Sequence, residues 1–325
     1  MPESGLLIVD KPGGMTSHDV VSRVRRLAGT RRVGHAGTLD PMATGVLLIG
    51  VEQATRLLGH LMLTAKQYHA TIRLGQSTTT DDAEGEPIGG ASATAVTRAA
   101  LDAGISRLTG QIMQVPPGVS AIKVNGERAY KLTRAGAAPE LKARPVTVHD
   151  FAVSRVAADG DYLDVDAVIG CSSGTYIRAL ARDLGAALGT GGHLTALRRT
   201  RVGAYDIAQA QTLDQISERF LPISLRTAAA AAFGIVGLTW PQARSLAHGA
   251  KIPLGELDQA VAPAADAVAG QGPKAAVLTE VAPGEALAAF APDGTLVALV
   301  TVESGRLRSL AVFSAPTELS GDRDR

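Results

Sequence analysis

Residues 32–50 constrain this chain more than any other stretch. Between Arg32 and the apolar run Val46-Leu47-Leu48-Ile49 stands Val-Gly-His-Ala-Gly-Thr-Leu-Asp-Pro-Met-Ala-Thr-Gly, residues 33–45, with three glycines, one proline and four polar side chains. Glycine and proline at this density break regular structure, and the apolar run behind them needs a buried place. The reading is an ordered loop that feeds a core strand. Asp40 lies between a leucine and a proline near the end of this loop. Such a carboxylate is placed to be held rigidly at the floor of a cleft. Spacing alone favours a plainer role, an aspartate that caps a turn before Pro41.

The flanks read as alternating helices and short strands. Residues 5–9 predict a strand that runs into the turn-rich Asp10-Lys11-Pro12-Gly13-Gly14. A helix follows, with Ser17 as its N-cap, Asp19 in the first turn and Val20, Val21, Val24 and Leu27 at helical spacing. Residues 67–74 alternate as a half-exposed strand, 75–90 read as a long loop, and 94–108 as a helix. Strands are expected at 144–156 and 161–169, joined by a turn at Ala157-Ala158-Asp159-Gly160. A helix is expected at 175–187, then a basic edge ending in Arg198-Arg199-Thr200-Arg201. A weaker helical stretch covers 207–232, where the alanine run 228–232 suits a helix or a linker. Beyond 235 short strands at 275–279, 286–290, 295–302 and 307–313 predict a small β-rich unit.

Composition narrows the class. The chain has 325 residues, for which two domains is the prior, and 46% hydrophobic against 19% charged residues excludes a largely disordered chain. A single cysteine, Cys171, excludes an intrachain disulfide and argues against a thiolate metal site. No run reaches the roughly 18 apolar residues of a membrane span. Acidic Glu3 and Asp10 do not suit a signal peptide, so a cytoplasmic protein is the expectation. The net charge of +1 hides an asymmetry: 23 Lys and Arg face 18 Asp and Glu in residues 1–205, and 9 face 13 in 206–325. Arginine supplies most of the basic residues, a weak pointer to phosphate.

Six ordered blocks resemble the bacterial TruB family of tRNA pseudouridine(55) synthases. They are Lys11 to Ser17; Gly34 to Gly45; Lys66-Gln67-Tyr68 with the loop from Gly75 to Gly85; Pro116-Pro117 through Ser120 to Lys123 with Gly126 and Tyr130; Gly174 to Arg178; and His193 to Arg199. The resemblance implies a mixed α/β (α+β) catalytic fold around a largely antiparallel sheet, over residues 1–232. Residues 233–316 would form a PUA-like C-terminal β-barrel domain, since Trp240 to Pro253 resembles the start of one, and 317–325 a flexible tail. That barrel would either touch tRNA or serve as a packed cap.

The implied reaction is isomerisation of uridine 55 in the T arm of tRNA. It needs no cofactor, no metal and no obligate protein partner, and the chain would act as a monomer. Asp40 would be the catalytic carboxylate. Arg178 would be its counter-charge, in a network with Asp82. Tyr68 would lie against the base, Tyr176 and Leu197 would line the pocket, and Lys11 would support the architecture. His35 would enter the RNA as the base flips out, and Gly34 and Gly37 would let the loop approach it. Arg23, Arg25, Arg26, Arg31, Arg32, Arg198, Arg199 and Arg201 would contact the RNA backbone. Thr79 stands where the family commonly has aspartate, so Asp82 alone is carried over and Asp81 is left without a role. Two alternatives remain open: a noncatalytic tRNA-binding or RNA-chaperone protein, and a synthase of the same fold acting on a guided RNA.

Overall fold

The computed structural model describes residues 3–118, 123–124, 127–128, 141–257, 281–282 and 284–319. Ser120, Ala121, Ile122, Gly126, Tyr130, the strand expected at 275–279 and residues 320–325 lie outside the described residues. Strand β1 (Gly5–Lys11) leads to helix α1 (Ser17–Ala28), β2 (Val33–Ala36), β3 (Thr44–Val51) and β4 (Lys66–Leu74). Next come α2 (Arg98–Arg107), β5 (Gly110–Gln114), β6 (Arg144–Asp159), β7 (Tyr162–Cys171), α3 (Ile177–Ala187) and β8 (Gly192–Val202). Among the described residues these strands form one nine-stranded sheet, ordered β1-β3-β8-β4-β7-β6-β5, with β2 beside β3 and residues 205–206 beside β8. All of its pairings are antiparallel except β3 with β8.

Local chemistry explains the elements. Thr16, not Ser17, caps α1: its hydroxyl accepts from Asp19 N–H, and Asp19 returns a bond to the Thr16 N–H, a capping box. Ser17 begins the helix, buried. Val20, Val21 and Val24 of α1 pack on Leu7, Leu47, Ile49 and Val51 of β1 and β3. Helix α3 covers the other end of the sheet through Ile177, Leu180, Ala181 and Leu184. The loop expected across 33–45 is shorter. Residues 33–36 pair with β3 from Val33↔Val51 to Ala36↔Leu48, which meets their backbone hydrogen bonds despite the glycine. The turn after β6 is Gly160-Asp161, and Ala157 to Asp159 continue the ladder with β7.

The basic stretch 198–201 is no sheet edge. Strand β8 is central, with β4 on one side and β3 on the other. Strand β3 meets it only at Arg198↔Thr44 and Arg199↔Gly45. Four residues up the same side, Leu194 bridges Asp82 instead. The sheet is therefore split between these two contacts. The loop entering β3 forms one bank of the split and the loop around Asp82 forms the other. Gly45 has φ +98 and lies so close to β8 that a Cβ would meet the Arg199 carbonyl oxygen at 2.2 Å. Only glycine fits there.

The expected helical stretch 207–232 resolves into a 3-10 turn, α4 (Leu213–Glu218) and α5 (Leu225–Ala232). The alanine run is helix: Ala228 and Ala229 are fully buried, and the buried Tyr205 hydroxyl donates to the Ala228 carbonyl at 2.7 Å. Then follow β9 (Gly234–Gly237), α6 (Trp240–Ala247), β10 (Ile252–Pro253), β11 (Leu287–Phe290), β12 (Leu296–Glu303) and β13 (Arg306–Val312). They build a curled five-stranded sheet, β9-β11-β12-β13-β10, a half-barrel consistent with a PUA-like unit. It shares a core with the larger sheet: Ile235, Phe290, Leu296, Leu299 and Phe313 join Leu6, Ile8, Val46, Leu48 and Leu57. No helix of the described residues is long and apolar enough to cross a membrane.

Phe290 is 1% exposed at this seam. Phe290→Ala is expected to destabilise the whole chain by about 3–5 kcal/mol. Urea unfolding followed at both sheets should remain one transition, because both lose the same packing.

Candidate active site

The site assembles at the split in the sheet. Arg178, in the first turn of α3, is 4% exposed. A buried cation at a helix start is disfavoured by desolvation and by the helix dipole unless anions compensate. Two carboxylates do so. Arg178 Nε lies 3.0 Å from Asp40 Oδ2, and Nη1 lies 3.5 Å from Asp82 Oδ2. Nη1 also donates to the Thr80 carbonyl at 2.8 Å. Asp82 is fixed from behind, because Oδ1 accepts from the Thr80 hydroxyl at 2.5 Å and from Glu84 N–H at 3.1 Å. Arg178 thus bridges both banks.

Asp40 is held by its neighbours on both sides. The Ser17 hydroxyl accepts from Leu39 N–H at 2.9 Å and donates to Leu39 C=O at 3.1 Å. On the other flank, Pro41 C=O accepts from Gly14 N–H at 2.9 Å and from Lys11 Nζ at 3.2 Å. Lys11, fully buried, also donates to the carbonyls of Pro12 and Met15, so it ties loops together at some remove from the chemistry. The Asp40 carboxylate keeps 36% of its side chain open to solvent. Burial pushes its pKa up, the nearby Arg178 guanidinium pulls it back down, and Asp82 adds a smaller upward push. Arg178 is the group that favours an ionised Asp40.

Tyr68 on β4 is 7% exposed and packs with Leu39, Ala43 and Leu197. Burial raises its phenol pKa and so keeps the hydroxyl protonated, an effect that Arg199 partly opposes. Tyr176 is half-buried immediately before α3. A groove of about 640 Å³, lined by Met42, Thr44, His69, Ala83, Leu197 and Arg198 among others, abuts these banks. Asp40, Asp82, Arg178, Lys11, Tyr68 and Leu197 are thus brought together. His35 stands apart on β2, edge-on to His18 with ring centroids 5.8 Å apart. Its buried Nδ1 has no hydrogen-bond partner, and burial, reinforced by His18 and Arg199, disfavours its protonated form.

The arginines divide. Arg25, Arg26, Arg31, Arg32 and Arg201 are exposed, with Arg32 paired to Glu52 at 3.3 Å and Arg25 bonded to the Val33 carbonyl. Arg23 pairs with Asp214 at 2.8 Å, and Arg198 with Asp10 at 2.7 Å. Arg199 is a correction. It is 1% exposed, and its guanidinium donates to Val46 C=O at 2.7 Å and Gly37 C=O at 2.8 Å, so it braces the loop from within and cannot reach an RNA backbone. The two loop glycines likewise back onto protein, Gly34 onto Leu58 and Gly37 onto Arg199. Sequence reasoning missed Ser17 as a clamp, as well as Thr80 and Gln114. The signal for Ser17 was an extra hydroxyl beside the Thr16 cap. Among the described residues no cluster of metal-ligating side chains occurs.

Comparison with known proteins gives the class of this mixed sheet, that of the pseudouridylate synthases. The TruB family pseudouridylate synthase N-terminal domain matches residues 25–177, and the tRNA pseudouridylate synthase B C-terminal domain matches 178–233. The chain belongs to the TruB family. It is 56% identical to the tRNA pseudouridine synthase B of Thermobifida fusca over 95% of this chain and 98% of the relative. Identity to that of Arthrobacter sp. is 55%, over 98% and 99%. Among solved structures, a chain of a Cbf5-Nop10-Gar1 complex matches with TM-score 0.70 at 24% identity, over 97% of this chain and 86% of that one. That likeness shows the fold.

Lys66 lies beneath the loop, 8% exposed, with Nζ donating to the Met62 and Thr64 carbonyls. Burial, then repulsion from Arg199, lowers its pKa from 10.5 to about 8. Between pH 8 and 10.5 the unfolded chain therefore binds the extra proton, so this lysine's contribution to stability rises with pH across that window. Wild type should gain stability relative to Lys66→Met between pH 7.5 and 9.5 in paired urea titrations. A constant difference between the two proteins would contradict the lowered value.

Proposed function

We infer that this chain isomerises uridine 55 of tRNA to pseudouridine. The observation that carries the reading is Arg178 set between Asp40 and Asp82 in a chain of the TruB family. Isomerisation balances without a co-reactant. The Asp40 carboxylate attacks C1′, or stabilises charge there, as the N1–C1′ bond breaks and the electron pair leaves with the uracil. The ring turns, C5 bonds to C1′ while any bond from Asp40 to C1′ breaks and returns its electron pair to the carboxylate, the C5 proton is lost and N1 takes one up. Arg178 holds Asp40 ionised and aimed. Tyr68 and Leu197 present a flat apolar wall for the base, and the protonated Tyr68 hydroxyl is suited to the closing proton transfer. A stacked base cannot reach Asp40, so the nucleotide must be extruded at a cost of a few kcal/mol. His35, planar and with a ring nitrogen left unpaired in the protein, is suited to the vacated space.

The proposal extends to the T stem-loop as the recognised part, to a monomer acting without an obligate protein partner, and to the cytoplasm. Exposed Arg26, Arg31 and Arg201, together with Arg25 and Arg32, support the RNA contact.

Asp40→Asn should abolish pseudouridine formation at position 55 of an unmodified tRNA transcript and leave its binding intact. Product from the variant at the wild-type rate would remove Asp40 from the chemistry. Binding without product from wild type would favour the noncatalytic or guided-RNA reading. Replacing Arg31 and Arg32 together by alanine should weaken binding and lower the slope of log Kd against log salt by about 1 to 2. An unchanged slope would remove both from the interface.

A further inference from the structure

The arginine side of the site hangs on a residue that none of the catalytic motifs includes. Gln114 ends β5, the outermost strand of the large sheet, and is 2% exposed. Its amide holds the backbone of Tyr176, 62 residues away: Nε2 donates to the Tyr176 carbonyl at 3.1 Å, and Tyr176 N–H donates to Oε1 at 2.8 Å. The side chain thus acts as a neighbouring strand would. Tyr176 is where α3 begins, and its carbonyl also takes the helical bond from Leu180 N–H at 3.2 Å. No capping bond comes from the Tyr176 side chain at this helix start. Arg178 lies two residues further on. A second tie joins the same elements, because Arg182 of α3 donates to the Val115 carbonyl at 2.8 Å while pairing with Asp81 at 3.2 Å.

An amide buried to this degree is tolerated only when its donors and acceptor find partners. Here the backbone N–H and C=O of one residue, Tyr176, supply a partner to each end of the amide, and that backbone sets where the Tyr176 ring and the Arg178 guanidinium stand. An apolar side chain would fill the volume and leave the turn free to shift. Ser17 does the same for the opposite bank, through both polar groups of Leu39.

We propose that Gln114 is a positioning residue that fixes the Tyr176–Arg178 turn against Asp40 and thereby sets the rate of isomerisation. The assignment rests on the function inferred above. Gln114 touches no reacting atom.

The test compares wild type with Gln114→Met, which keeps length and loses both bonds, and Gln114→Glu, which keeps only the acceptor. Pseudouridine formation on an unmodified tRNA transcript and binding of that transcript are both measured. Gln114→Met should lower kcat about 10- to 100-fold with KM and Kd within about threefold of wild type. The acidic limb of its kcat profile should move to higher pH. The charges facing Asp40 are Arg178, Lys11, Asp82 and Glu84, and only Arg178 is displaced. In an Arg178→Lys background the same substitution should change kcat by less than about threefold, since both act through one contact. Unchanged kcat in a folded Gln114→Met, a loss confined to KM, or full additivity with Arg178→Lys would overturn the assignment and leave the function standing. If Gln114→Met does not fold, Gln114→Glu is judged by the same criteria. No product from wild type would overturn the functional reading and this assignment together.

Discussion

Arg178 carries a charge that its surroundings would reject if it stood alone. It is buried, and it sits where the backbone dipole of α3 is already positive. Asp40 and Asp82 make that position tenable, and in doing so they join two loops that arrive from opposite banks of a split sheet. The ion triad is therefore structural and chemical at once. The arginine needs the carboxylates in order to be buried, and Asp40 needs the arginine in order to stay ionised when burial pushes it toward the neutral form. Charges near a half-buried carboxylate act through a lower dielectric than water, so small displacements matter.

The architecture around the triad follows from that sensitivity. Strand β8 has β3 at one end of an edge and the Asp82 loop at the other, and the opening between them is bounded by paired backbone. The loops themselves are held through their backbone polar groups, by buried side chains and by the Gly14 N–H. Ser17 holds Leu39, Lys11 and Gly14 hold Pro41, and Arg199 holds Gly37 and Val46. Each of these partners is separated by many residues in sequence. The catalytic loop is irregular but has little freedom, because its polar backbone groups are met from inside the protein.

This pattern explains what the sequence made legible. Helical spacing in α1 and α3, alternation in β4 and the turns between β11, β12 and β13 are local signals, and they predict those elements within a few residues. The ionic pair was legible through the ordered motifs around Asp40 and Arg178, and not through spacing, which favoured a turn cap for Asp40. What stayed hidden was long-range. Strand β5 depends on its ladder with β6, and the Gln114 amide on a partner 62 residues away. Arg199 looked like one more exposed cation in a basic run, but strand alternation turns it inward while Arg198 faces Asp10. The alanine run 228–232 had no pattern that separates linker from helix. The core it joins, shared by Tyr205 and Phe290, resolves the matter and makes the C-terminal half-barrel a packed wall of the larger sheet.

Rigidity on this scale decides which partner must move. On the proposed function the target base starts stacked in folded RNA, and bringing it to Asp40 costs a few kcal/mol in lost stacking and pairing. Loops braced by Ser17, Lys11 and Arg199 cannot follow the RNA inward, so the nucleotide has to come fully out to meet the carboxylate. The protein must then offer the RNA compensation for the space left behind. His35 is suited to that, on the strand that feeds the catalytic loop. Its buried Nδ1 is unsatisfied in the protein alone, and its ring is held edge-on to His18 with protonation disfavoured. The ring has to turn for that nitrogen to meet a partner in the RNA, and the turn would satisfy an atom that burial leaves unpaired in the protein alone.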